Sequence, residues 1–163
     1  MNVIKKLVTG LFSGLIAAAF SACDGLALQD LKPGVSTDRD VRNRMGRPNM
    51  EWKDADGTQT WEYPRTPEGI VNYMIVIGPD LILREIRQVL TEENFGKVKE
   101  GMSKEEVRRL LGQPAHELYF SLKKEHVWDW KTKSESSMDF FFNVHFDDNG
   151  LVVKTSSNFV PKG

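Results

Sequence analysis

One cysteine, three histidines and three tyrosines leave this chain few side chains for chemistry. The lone thiol, Cys23, cannot close an internal disulfide, so no covalent staple supports the fold. His116, His126 and His145 do not stand four residues apart, and no second cysteine can join them, so no metal site is expected. There is no Gly-x-Ser-x-Gly run to build a nucleophile elbow, and Ser136-Ser137 with His126 is the nearest thing to a hydrolase pair. Neither a catalytic constellation nor a cofactor site emerges, and the chain reads as a non-enzyme. Charge of one sign is also missing. Lys and Arg number 22 against 23 Asp and Glu, which gives no electrostatic case for nucleic acid.

Long apolar runs are confined to the start. Lys5 and Lys6 precede a mostly apolar stretch from Leu7 to Phe20, interrupted by Thr9, Gly10, Ser13 and Gly14. This is short for a membrane span and has the layout of a secretory signal over residues 1–22. A core helix or an uncleaved anchor is the plainer alternative. Removing the leader leaves 20 basic against 23 acidic residues. Ser21-Ala22-Cys23 resembles the cleavage box of bacterial lipoproteins, with Phe20 where Leu is commoner. That resemblance implies cleavage before Cys23, a diacylglyceryl thioether on its sulfur and an acylated (palmitate-type) amino group. Several acyl chains give a stable anchor where one gives marginal binding. A buried or free thiol is the alternative.

What the chain does have, it has twice. Gly34-Val35-Ser36-Thr37 through Gly46-Arg47-Pro48 returns as Gly101-Met102-Ser103 through Gly112-Gln113-Pro114. Trp61-Glu62-Tyr63 returns as Trp128-Asp129-Trp130. The spacing, 66 or 67 residues, is too long for a solenoid repeat and implies two copies of one small unit. We therefore divide the mature chain into residues 23–90 and 91–163. A unit of this size is near the lower limit for independent stability, so the copies should pack on each other.

In each copy a short lead precedes a capped helix. Leu26, Leu28 and Leu31 suggest a brief helix. Thr91 caps a second lead in which Phe95 and Val98 face inward. Thr37 with Asp40, and Ser103 with Glu106, are capping signals; the first is the weaker Asp version. Val41 and Met45, and Val107, Leu110 and Leu111, form the apolar faces. Asp38–Arg42, Asp40–Arg44 and Glu105–Arg109 are possible i,i+4 pairs. Gly46 and Gly112, each followed by a proline two residues on, end the helices.

Strands follow. Met50–Trp52 and Thr58–Tyr63 flank Asp54-Ala55-Asp56-Gly57. Val71–Ile77 and Leu81–Val89 flank Gly78-Pro79-Asp80. In the second copy we expect strands over Ala115–Leu122, His126–Lys131, Met138–Phe146 and Leu151–Ser156, with Lys133–Ser137 an exposed polar loop. Helices before strands argue α+β, with an antiparallel sheet covered by helices on one face.

This ordered set, twice, behind a lipidation box, resembles the BamE (SmpA/OmlA) lipoproteins. The resemblance implies two tandem BamE-like units, each with two short helices packed on a small antiparallel β-sheet. It also implies a non-enzymatic accessory of the outer-membrane β-barrel assembly machine, on the periplasmic face of the outer membrane. Its partners would be barrel-assembly components, namely the barrel and partner lipoproteins, with anionic phospholipid within reach. Asp24, directly after the lipidated cysteine, resembles an inner-membrane retention signal and leaves the inner membrane as the alternative. Two other readings stand beside it. The secreted β-lactamase inhibitory protein is also a tandem helix-plus-sheet repeat, though this chain lacks its internal cysteine pairs. A lipid- or peptidoglycan-binding envelope lipoprotein is the other.

Few individual residues suggest a site. Asp54–Gly57 has the wrong residues, Trp52 and Tyr63, at the outer ligand positions of a calcium loop and reads as a turn. Asp147-Asp148-Asn149-Gly150 reads likewise. Trp52, Trp61, Trp128 and Trp130 suit a core, or an exposed anchor for a partner. Arg39, Arg42, Arg44 and Arg47 make the first helix locally basic. They form either a solvated face or a contact for anionic lipid or a partner.

Overall fold

The structure is a computed structural model and describes residues 27–162. The leader, Cys23 and Asp24 lie outside the described residues.

Local signals place the helices. Residues 27–29 are helical. Helix α1 (Asp38–Met45) starts at Thr37, α2 (Glu92–Phe95) at Thr91 and α3 (Lys104–Leu111) at Ser103. Both longer helices have complete capping boxes. The Thr37 hydroxyl accepts from the Asp40 N–H while the Asp40 carboxylate accepts from the Thr37 N–H. Ser103 and Glu106 repeat the exchange. Aspartate thus closes the first box as fully as glutamate closes the second.

Of the three expected i,i+4 pairs, only Glu105–Arg109 forms, at 3.1 Å. Arg42 instead meets Glu51 at 3.1 Å and lies over the Trp61 ring, and Arg44 meets Asp30. Asp40 is committed to its cap, and Arg42 finds both a carboxylate and an aromatic face on the neighbouring strand, more than Asp38 offers.

Each capped helix is followed by a four-strand antiparallel meander. The first is β1 (Met50–Lys53), β2 (Gln59–Pro64), β3 (Asn72–Ile77) and β4 (Leu83–Gln88); the second is β5 (His116–Phe120), β6 (Glu125–Ser134), β7 (Met138–Phe146) and β8 (Val152–Pro161). The Asp-rich stretches are turns: Asp56 accepts from the Thr58 N–H, and Asp147 from the Asn149 and Leu151 N–H groups. The polar loop is shorter than expected. Lys133 and Ser134 continue β6 opposite Phe140 and Asp139, so cross-strand pairing outweighs their polarity. Likewise β8 runs past Ser156 to Pro161, because β7 offers partners as far as Met138.

Strand alternation sorts the side chains. In the first sheet Trp61, Tyr63, Ile75, Ile77 and Leu83 face α1 and bury Val41, with Leu31 closing the cluster. In the second, Trp128, Trp130, Val144, Phe146 and Val152 pack on Val107 and Leu111 of α3, and on Phe95 and Val98. All four tryptophans are core residues. A polar handle on the aromatic after each strand acid reaches the helix end. The Tyr63 hydroxyl donates to the Gly46 carbonyl at 3.0 Å, and Trp130 Nε1 to the Gly112 carbonyl at 3.1 Å. The recurring Gly-x-Ser/Thr segment is pinned the same way in both halves: the Gly34 N–H donates to the Leu83 carbonyl and the Gly101 N–H to the Val152 carbonyl, both at 2.8 Å.

The expectation of one covered face per sheet holds only for the second sheet. The first is covered on both, since its far face receives the end of α3. The layers run α1, first sheet, α3, second sheet. A unit of this size buries too little surface alone, and sharing α3 supplies the deficit.

Candidate functional site

Two equivalent sheet faces have opposite fates, and the difference defines the candidate site. On the first sheet, the face away from α1 carries Trp52, Glu62, Asn72 and Met74, all buried. Glu62 is fully buried and would be untenable alone. It accepts from Arg108 Nε at 3.2 Å and from the Gln113 N–H at 2.9 Å. Asn72 Nδ2 donates to the Leu111 and Gln113 carbonyls, both at 2.9 Å. These two side chains satisfy backbone groups at the end of α3 that the helix cannot pair itself. Arg109 adds an ion pair with Asp54 at 3.3 Å and lies over Trp52.

The corresponding face of the second sheet is open. Register places Asp129 opposite His116 and Asn143, as Glu62 is opposite Met50 and Met74. A cleft of about 310 Å³ lies over it, lined by Leu118, Phe120, Asp129, Asn143, His145 and Ser156 among others. Leu118 and Phe120 are exposed on its rim. Asp129 is 14% exposed and lies 2.9 Å from His116 Nδ1. Burial pushes its carboxyl above the usual range, with the His116 hydrogen bond opposing. On the same face, Glu125, His145 and Ser156 form a row: His145 Nδ1 is 3.0 Å from Glu125 and Nε2 is 2.8 Å from Ser156 Oγ. The row has the order of a hydrolase relay, but Ser156 sits mid-strand, not on a turn, so the backbone donors that serve an oxyanion at a nucleophile elbow have no counterpart there. Asn143 Nδ2 also donates to Ser156 Oγ, at 3.3 Å, and to Asn158 at 2.8 Å. The face is a polar network with an apolar rim, suited to docking.

Sequence reasoning missed this cluster. The signal was available: Asn143, His145, Ser156 and Asn158 are all polar at alternate positions, where a buried face would be apolar. The serine–histidine pair it did consider is not assembled, since Ser136-Ser137 lie at the hairpin turn and His126 near the opposite end, over Tyr119.

The four arginines in and just after α1 divide. Arg42 and Arg44 have the carboxylate partners given above, while Arg39 and Arg47 are exposed. Among the described residues no helix is long and apolar enough to cross a membrane, and no three His, Cys, Asp or Glu side chains group to hold a metal ion.

The class is therefore α+β: two antiparallel four-stranded sheets with few short helices. Residues 88–156 match the model of the outer membrane protein assembly factor BamE domain, which makes the second half similar to that family. The match takes in α2, α3 and most of the second sheet, including Asp129 and the cleft. No curated protein matches the chain. Two solved structures are similar at low identity. One is a candidate beta-lactamase inhibitor protein from Streptococcus mutans, 16% identical over 84% of this chain and 96% of that one, with a TM-score of 0.33. The other is a DUF4309 family protein (YjgB) from Bacillus subtilis, 19% identical over 82% and 84%, with a TM-score of 0.31. At such scores neither likeness carries an argument.

Proposed function

We propose that this protein is a non-enzymatic scaffold of the BamE type, built from two tandem units and serving outer-membrane β-barrel assembly. Cys23 carries the lipid anchor, which holds the chain on the periplasmic face of the outer membrane. Asp24 is the one feature that favours the inner membrane instead. The observation that carries the reading is the BamE-domain match over residues 88–156, on the half whose sheet offers an open docking face. A scaffold needs a surface that holds a partner and does no chemistry, and the cleft around Asp129 fits that need. The exposure of Arg39 and Arg47 on the first half supports a contact with anionic lipid headgroups.

The test is chemical cross-linking of the lipidated protein in its native envelope, followed by identification of what co-purifies. Recovery of barrel-assembly components is the expected result. Recovery of inner-membrane proteins alone would overturn the assignment and show that Asp24 is obeyed.

A further inference from the structure

The chain contains one finished joint and the two halves of another. In the finished joint the acid of β2, Glu62, holds the Arg108 guanidinium and the Gln113 N–H at the end of α3. The segment inserted there is Arg108-Arg109-Leu110-Leu111-Gly112-Gln113-Pro114. The same pattern stands at the end of α1, as Arg42-Asn43-Arg44-Met45-Gly46-Arg47-Pro48. Gly46 and Gly112 share a backbone conformation, with φ of 78° and 76°. At α1, however, nothing covers the outward side: Arg39, Asn43, Gly46 and Arg47 are exposed. On the second sheet Asp129 occupies the position of Glu62, but it lines an open cleft, with His116 at 2.9 Å as its side-chain partner and no helix end above it. One knob and one seat are left over, at opposite ends of the layered stack.

We infer that the open face of the second sheet receives the α1 end of a second copy of this chain, with Asp129 holding Arg42 and the Arg47 N–H as Glu62 holds Arg108 and the Gln113 N–H. The inference rests on that face being a docking surface and names its occupant. Charge supports it. The knob presents Arg42 and Arg47, and the cleft holds Asp129, whose one side-chain partner is His116; Glu125 is already met by His145 and Lys154, and Lys123 also lines the cleft. Arg42 has five donors and can keep Glu51 while engaging a second carboxylate. The contact is head-to-tail, so it uses two different surfaces and extends into chains or closes into rings.

The seat also differs from its template. Phe141 stands where Asn72 grips the helix end, Asn143 where Met74 packs, and Leu118 where Trp52 packs. The joint is therefore weaker than the internal one. Such a contact forms where copies are concentrated and releases when they are dilute.

The test uses the mature chain with Cys23→Ser, so that no acyl chain drives association. Sedimentation should show oligomers growing with concentration. Arg42→Glu and Asp129→Arg should each weaken association about tenfold or more. Mixing the two variants should restore a one-to-one complex, because each keeps the surface that the other has lost. Leu118→Arg, an exposed rim change, stands in if Asp129→Arg disturbs the fold. A monomer at all concentrations, or oligomers indifferent to these changes, overturns the inference. A photo-crosslinker at Leu118 in the native envelope separates it from the broader reading. Capture of α1 from a second copy supports self-docking. Capture of a barrel-assembly component overturns it and leaves the docking face standing. No capture, together with a monomeric chain, overturns both.

Discussion

Asp129 and Glu62 fill equivalent positions and differ in what surrounds them. Glu62 is compensated by Arg108, whereas Asp129 is held above the usual carboxylate range by burial. The sign of the pH effect follows. Between the ordinary carboxylate pKa and the raised folded value, the native state binds more protons than the unfolded one, so this group's contribution falls as pH rises through that window. Asp129→Asn should raise the urea midpoint at pH 7, in dilute protein, and the gain should vanish in acid below the ordinary carboxylate range. The capping carboxylates Asp40 and Glu106 act in the opposite sense. Hydrogen bonds from the Thr37 and Ser103 backbone hold both below the usual range. Their contribution is present above the ordinary range and is lost as pH falls through their lowered values. An Asp129→Asn chain that loses stability at pH 7 would falsify the idea that burial outweighs the His116 contact at this acid.

The two longer helices share a stop but not its surroundings. Both end on a left-handed glycine before proline, so alanine strains either site by roughly 1 kcal/mol. A Cβ at Gly46 meets nothing within 4 Å, whereas one at Gly112 would lie 2.8 Å from Asn72 Nδ2 and 3.1 Å from Asn72 Cβ. Gly112→Ala must also displace Asn72 from the Leu111 and Gln113 carbonyls, each such bond being worth about 1 kcal/mol. Thermal or urea melts should therefore show Gly112→Ala costing about 2 kcal/mol more than Gly46→Ala. Equal losses would mean that the contact with the first sheet carries little weight. Most of this element-scale structure was legible in the sequence. Thr37, Ser103, Gly46, Gly112 and the Asp-Gly and Asn-Gly turns act over three or four residues, so their neighbours in sequence are their neighbours in space. The ion pairs of Arg42 and Arg44 were not, because their partners, Glu51 and Asp30, lie on other elements.

At the scale of the molecule, α3 serves two sheets, and the halves should unfold together. Trp52 and Trp61 report on the first half, Trp128 and Trp130 on the second, so fluorescence and circular dichroism should give one coincident urea transition. Residues 27–90 expressed alone should fail to fold, since Trp52, Glu62 and Met74 would lose their cover. Arg108→Met should destabilise the whole chain by about 2 kcal/mol. That is below the roughly 3–5 kcal/mol of a fully buried pair, because the Arg108 side chain is 23% exposed. Two separated transitions would instead show two independent domains.

By itself the sequence determined the caps, the stops, the hairpins and the alternation that turns Trp61 and Trp128 inward. Each of these depends on bond geometry and on contacts a few residues apart. It also displayed Trp-acid-aromatic twice with no sign that the two acids differ. Only the tertiary structure decided that one would lie under α3 with an arginine and the other would line an open cleft. Which face of a sheet is covered depends on elements some 46 residues away, as from Glu62 to Arg108, and no local preference encodes a choice made at that distance.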